Sequence, residues 1–236
     1  MLENINLENL LFLDIECVPS FPSYDALTDE LKILWSEKSA SFRKEQETSS
    51  NSYERAGIYA EFGKIICVAL GKFYFEEQRL GIKLKSLQSD DENKLLSELS
   101  ELLNKQPADT VLVAHNGKEF DFPYICRRMI INNQPLPKIL NSAGKKPWEI
   151  QHLDTMELWK FGDRKSFTSL NLLATIFGLP NPKDDISGKD VGRVYWQDKD
   201  LIRISTYCKK DVLITARVFL RLMGIEDLSE AHIKYL

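Results

Sequence analysis

Residues 10–18, LLFLDIECV, read as an extended run whose side chains alternate: Phe12, Asp14 and Glu16 fall on one face, and Leu11, Leu13, Ile15 and Cys17 on the other. So apolar a run predicts a strand bound for the core, stopped by Pro19. From Pro19 to about Phe62 the pattern shifts to Ser, Glu, Lys and scattered aromatics, which predicts an insertion with a helix over 26–45. Its ETSSNS tract holds no core-forming residue and is expected to be mobile. GKIICVALGKFYF at 63–75 and GIKLKSL at 81–87 predict paired strands joined through EEQRL. SDDENKLLSELSELLNK has an acidic first turn and leucines at helical spacing, so it predicts a helix. DTVLVAHN predicts a short buried strand, and further helices are expected over 120–132, 166–178 and 201–223.

Strands first, then strand and helix in alternation, predict an α/β fold with a mixed sheet of five to six strands flanked by helices. The chain 1–236 is expected to form a single domain with 19–62 as an insertion or cap, since neither an internal repeat nor a linker interrupts it. No run of about 18 apolar residues is present, which excludes a membrane-spanning helix. The opening MLENINLENL is acidic and polar where a signal peptide is basic and then apolar, so a cytoplasmic location is expected. The cysteines at 17, 67, 126 and 208 lack the close pairing of a zinc site and are expected to be reduced, buried thiols.

Net charge is −4, which argues against coating duplex DNA by electrostatics alone. The halves differ: residues 1–110 carry 12 Lys and Arg against 20 Asp and Glu, residues 111–236 carry 19 against 15. Anionic partners are therefore expected to meet the second half.

Three stretches carry candidate chemistry. Asp14 and Glu16 share a strand face, where two bare carboxylates repel each other unless a cation joins them. The alternative is a strand end that reaches solvent. In VLVAHNGKEFDFPYICRR, Asn116 ends a buried strand and Asp121 follows at the sheet edge, where α/β sites are built; either residue has a plain structural alternative, as turn residue or helix N-cap. In STYCKKDVLITARVFLRL, Tyr207 and Asp211 are four apart on a helix, on the stripe that holds Ile204, Thr215, Phe219 and Leu222. Asp211 thus interrupts a face that should point inward, against the alternative of a surface-edge carboxylate. Oxygen ligands of this kind suit two hard cations such as Mg²⁺, a set that points to phosphoryl transfer.

LFLDIE, HNGKEFDFPYI and YCKKD resemble, in order, the three motifs of the DEDD 3′→5′ exonuclease superfamily, and the tyrosine four residues before the last aspartate resembles its DEDDy branch. Asn116 five residues before Asp121, with FDFPYI and Arg127, is similar to the proofreading domain of family B DNA polymerases, and the chain looks most like stand-alone bacterial exonucleases of that kind. The resemblance spans roughly residues 9–224 and implies a ribonuclease H-like fold. It implies two divalent cations, Mg²⁺ or Mn²⁺, held by Asp14, Glu16, Asp121 and Asp211, with Tyr207 orienting the attacking water. It implies release of nucleoside 5′-monophosphates from single-stranded 3′ ends, DNA favoured over RNA because of the polymerase-like second motif, and protein partners are left open. An exoribonuclease, or a silent nucleic-acid-binding module on the same fold, remains as an alternative. With no polymerase domain expected to follow, proofreading would act in trans.

Asn116 is expected to support the strand end or the terminal nucleotide. Lys189 and Arg193, beside glycines in GKDVGRVYW, are candidate phosphate contacts; the segment lacks the spacing of a P-loop. The insertion's Phe21, Tyr24, Trp35, Phe42 and Tyr59 either stack on bases or anchor the insertion. Lys209 and Lys210 are expected to face solvent, and His115 and His152 to be structural.

Overall fold

The computed structural model describes residues 5–163, 167–180 and 186–236. One sheet in the order β5-β4-β1-β2-β3-β6 is built from β1 (Leu10–Pro19), β2 (Gly63–Glu76), β3 (Arg79–Gln88), β4 (Val111–Ala114), β5 (Leu153–Asp154) and β6 (Ile233–Tyr235). It is mixed: β1–β2 and β2–β3 run antiparallel, while β1–β4, β4–β5 and β3–β6 run parallel. Glu77 and Gln78, both at positive φ, close the β2–β3 hairpin in two residues, as the right-handed strand twist favours.

The helices are α1 (Asp29–Ala40), α2 (Glu92–Asn104), α3 (Asp121–Ile131), α4 (Thr155–Lys160), α5 (Leu170–Ile176), α6 (Val191–Arg193), which runs into a π turn over Val194–Asp198, and α7 (Leu201–Leu222). Among the described residues, no helix is long and apolar enough to cross a membrane.

The alternation in β1 divides the core as its sequence requires. Leu11, Leu13 and Ile15 join Leu95, Leu96 and Leu99 of α2 and Ile125 and Met129 of α3. Phe12, fully buried, joins Cys208, Val212 and Phe219 of α7 and sits edge-on to Phe73 and Phe219 at 4.9 and 5.8 Å. A buried Phe of this kind is worth about 3–5 kcal/mol against Ala. Close approach of α7 to the sheet depends on Gly71 of β2: a Cβ there would lie 2.7 Å from Val212 Cγ1. The side of β1 that carries Asp14 and Glu16 is therefore the side that α7 covers.

Between β1 and β2, α1 is shorter than the expected 26–45, starting where the Thr28 hydroxyl accepts the Leu31 N–H. Its Trp35 is fully buried among Phe42, Tyr53, Tyr59 and Phe62, with Phe21 and Tyr24 packed alongside. The aromatics thus anchor the segment to itself. The ETSSNS tract, expected to be mobile, is instead tied down: the Trp35 indole donates to the Ser49 carbonyl at 2.8 Å and Ser52 is buried. Composition missed this because the tract is held by polar contacts, the Glu47–Arg55 pair at 2.6 Å among them, and not by core-forming side chains. The Ser20 N–H donates to the Phe62 carbonyl at 2.8 Å, Tyr124 Oη to the Gly57 carbonyl at 2.7 Å and Arg128 to the Ala60 carbonyl at 2.7 Å, fixing the segment's base to α3.

Of the helix expected over 166–178, residue 166 lies outside the described residues and the ordered turns are α5, capped by Ser169. Lys209 lies over the Tyr235 ring at 6.0 Å and is only half-exposed, so it does not simply face solvent.

Candidate active site

β1 pairs with β2 so that Asp14 faces Ala69 and Glu16 faces Cys67, and the register slips between Glu16 and Cys17. Such a bulge bends a strand and re-aims its side chains. Asp14 is half-buried and Glu16 buried, so neither carboxylate is a strand end open to solvent. One carboxylate oxygen from each and the Cys208 Sγ lie within 4.8 Å of one another. The Cys208 thiol donates to Asp14 Oδ2 at 3.3 Å.

Asp121 is the first residue of α3, and Phe120 in front of it supplies no side-chain cap. Its carboxylate turns to β1 instead: Oδ1 accepts the Ile15 N–H at 3.1 Å, and the residue is 4 % exposed. The loop from β4 to α3 passes so tightly that a Cβ on Gly117 would lie 2.3 Å from Ala114 Cβ and 3.5 Å from Asp121 Oδ2. Asn116 takes a left-handed φ of 63°, which Asn tolerates better than most residues. Its N–H donates to Asp154 Oδ1 at 2.9 Å, and its own Oδ1 is buried with no hydrogen-bond partner.

Asp154 escaped the sequence reading. Nearly fully buried at the end of β5, it accepts N–H groups from Asn116 and Lys118 on the β4 loop and from Met156 at the start of α4. The usable signal was Asp154 three residues before Glu157, the spacing of a helix start. His115 is structural as expected. The Thr168 carbonyl can only accept, so Nε2 donates to it at 2.9 Å and Nδ1 takes the Thr155 hydroxyl at 2.8 Å. His152 Nε2 likewise donates to the Ile139 carbonyl at 2.8 Å.

From α7, the Asp211 carboxylate acts on the Tyr207 hydroxyl one turn before it. A Cβ on Gly188 would lie 3.9 Å from the Tyr207 hydroxyl, so the 188–197 segment borders the same space. Asp14 is acted on by Glu16, Asp121 and Asp211, and Tyr207 by Asp211, Glu16 and Asp14. Burial first, and then Asp121, Glu16 and Asp211, raise the Asp14 pKa well above the carboxylate range. Burial, then Asp211, does the same to Glu16. Burial pushes Asp121 up to about 7, against the pull of the Ile15 N–H. The Tyr207 hydroxyl is pushed up by burial and by Asp211, so it stays protonated at neutral pH.

Lys189 and Arg193 line a cavity of about 900 Å³ together with Ile15, Glu16 and Phe120. The Arg193 guanidinium donates to Asp198 at 2.7 Å, and Asp190 lies 4.0 Å from it.

Desolvated carboxylates that repel one another fit cations: positive charge removes both the burial penalty and the repulsion, and carboxylate oxygens suit hard divalent ions. In fold, the chain is similar to the family B DNA polymerase of the hyperthermophilic archaeon Pyrobaculum calidifontis, with a TM-score of 0.54 and 15 % identity over 89 % of this chain. The match covers 24 % of that polymerase, and it carries the mixed α/β, ribonuclease H-like architecture alone. No curated protein sequence matches the chain. Residues 58–234 match a family described as "Predicted 3'-5' exonuclease related to the exonuclease domain of PolB", a span that takes in Asp121, Tyr207 and Asp211 and leaves Asp14 and Glu16 outside it. The chain belongs to this family of predicted 3′–5′ exonucleases related to the exonuclease domain of PolB.

Proposed function

We propose that the protein is a metal-dependent 3′→5′ exonuclease of the DEDDy type that trims single-stranded DNA ends in the cytoplasm to nucleoside 5′-monophosphates. The observation that supports it most is the set of acids that act on Asp14: Glu16, which offers an oxygen within 4.8 Å of its own, and Asp121 and Asp211 from α3 and α7. A binding module has no need of four mutually repelling acids that a cation must reconcile.

Asp14, Glu16, Asp121 and Asp211 would hold the cations. Divalent cations, Mg²⁺ or Mn²⁺, would supply Lewis acidity and a water acidic enough to act near neutral pH. Tyr207, protonated beside Asp211, orients the water that attacks the terminal phosphodiester. The buried, unpartnered Oδ1 of Asn116 offers an acceptor to the terminal nucleotide. Lys189 and Arg193 receive phosphates further along the strand. The 19–62 segment is read as a cap on a single catalytic domain.

A time course on 5′-labelled single-stranded DNA and RNA in Mg²⁺ or Mn²⁺ tests this. A ladder shortening from the 3′ end, faster on DNA and absent with EDTA or in Asp14→Ala, is expected. Internal cuts, or equal activity in Asp14→Ala, overturn the proposal; faster trimming of RNA overturns the DNA preference alone.

A further inference from the structure

The cavity that opens from Glu16 has two unlike walls. Residues 188–197 line it with Lys189, Asp190 and Arg193. The cap lines it with Asp25 and Glu54, both exposed, with Arg55, whose guanidinium is paired to Glu47 at 2.6 Å, and with Tyr24 and the half-exposed Ile58. The two walls are joined at the base, where the Trp196 indole N–H donates to the Pro19 carbonyl at 3.2 Å. The cap wall is fixed in place, since Tyr124 and Arg128 of α3 hold its Gly57 and Ala60 carbonyls.

Size decides what such a trench accepts. A duplex about 20 Å across fills roughly 1,000 Å³ per 3.4 Å base-pair step. The cavity, at about 900 Å³, takes less than one step of duplex. A single nucleotide fills roughly 300 Å³, at the small end of ligand sites, so two or three unpaired nucleotides fit.

We infer that the cap is a strand-selecting wall: its acidic edge, Asp25 and Glu54, repels the phosphates of a complementary strand, while Lys189 and Arg193 receive those of the strand being trimmed. The inference rests on the exonuclease reading above and deepens it. Asp198 engages one N–H of Arg193, and a guanidinium carries five, so donors remain for phosphate. The bases then face Tyr24 and Ile58. Discrimination by exposed charges works within about a Debye length, so it weakens as salt rises.

The test separates wall from chemistry. Binding of a fluorescent single strand and of its blunt duplex is measured in EDTA, where no hydrolysis is expected, for wild type and for Asp25→Lys with Glu54→Lys. The double reversal should tighten duplex binding about tenfold and single-strand binding much less. Glu30→Lys with Glu37→Lys, exposed cap positions away from the cavity, adds the same charge and should leave the ratio unmoved. In Mg²⁺, wild type should leave a stub of about two or three unpaired nucleotides on 3′-tailed duplexes, and the Asp25/Glu54 variant should trim into the duplex. An unchanged binding ratio in that variant, or an equal shift in the Glu30/Glu37 control, overturns the inference. A shifted ratio in a protein that trims nothing supports the wall and overturns the exonuclease reading alone.

Discussion

Asp121 Oδ1 accepts the backbone N–H of Ile15 at 3.1 Å, and Ile15 lies between Asp14 and Glu16 on β1. One hydrogen bond therefore sets α3 against the strand that carries the other two acids. Asp121 has a structural task beside its proposed chemical one, and substitutions should separate them. Asp121→Asn keeps a carbonyl acceptor for Ile15 and removes the charge, so it should fold normally and lose roughly a hundredfold or more in trimming rate. Asp121→Leu leaves the Ile15 N–H buried and unpaired, at about 1–3 kcal/mol. Its melting temperature should fall below that of Asp121→Asn by about 2–4 °C per kcal/mol. Equal melting of the two variants would count against this hydrogen bond.

The raised carboxylates make the metal-free fold sensitive to pH. Asp14, Glu16 and Asp121 hold protons more tightly folded than unfolded, Asp121 up to about 7. The folded state thus binds more protons, so this contribution is most favourable near pH 4 and is lost as pH rises through the folded values. In EDTA, stability relative to Asp14→Asn should fall as pH rises above the ordinary carboxylate range, and Asp14→Asn should melt higher than wild type at pH 8. Mg²⁺ should restore wild type and not the variant. A wild-type protein that gains on Asp14→Asn as pH rises in EDTA would contradict these assignments.

Tyr207→Phe removes the hydroxyl beside Asp211 and leaves the acids in place. At saturating metal, kcat should drop about 10–100-fold, less than for Asp14→Ala. If the two variants are equally inactive, Tyr207 does more than orient water.

Asp154 should matter without touching substrate. Alanine there strips the acceptor from the Asn116, Lys118 and Met156 N–H groups. The loss of roughly 2–4 kcal/mol should lower the melting temperature by about 5–15 °C. Asp154→Asn, which keeps one oxygen, should fall between. A melting temperature unchanged in Asp154→Ala would show that the β4 loop is held by other means.

The strands and helices with strong patterns were legible. The alternation of β1 placed Phe12, Asp14 and Glu16 on the α7 side, and Asp211, half-buried on the α7 stripe, acts on Asp14 and Glu16. Two-residue β5 and three-residue β6 are too short to carry a period, and both are defined only by their parallel partners β4 and β3. Cys208 looked like a plain buried thiol. Its contact with Asp14 spans 194 residues of sequence and depends on how closely α7 meets the sheet. The segment 19–62 misled for a related reason: its order comes from one tryptophan that gathers rings and a backbone carbonyl around it.

The most direct test of the account is to locate Mn²⁺ by anomalous scattering in crystals of wild type and of Asp121→Asn. Two ions about 3.5–4 Å apart, both touching Asp14, are expected in wild type, with the ion on the Asp121 side lost in the variant. A single ion held by Asp14, Glu16 and Cys208, unchanged by the loss of Asp121, would contradict it.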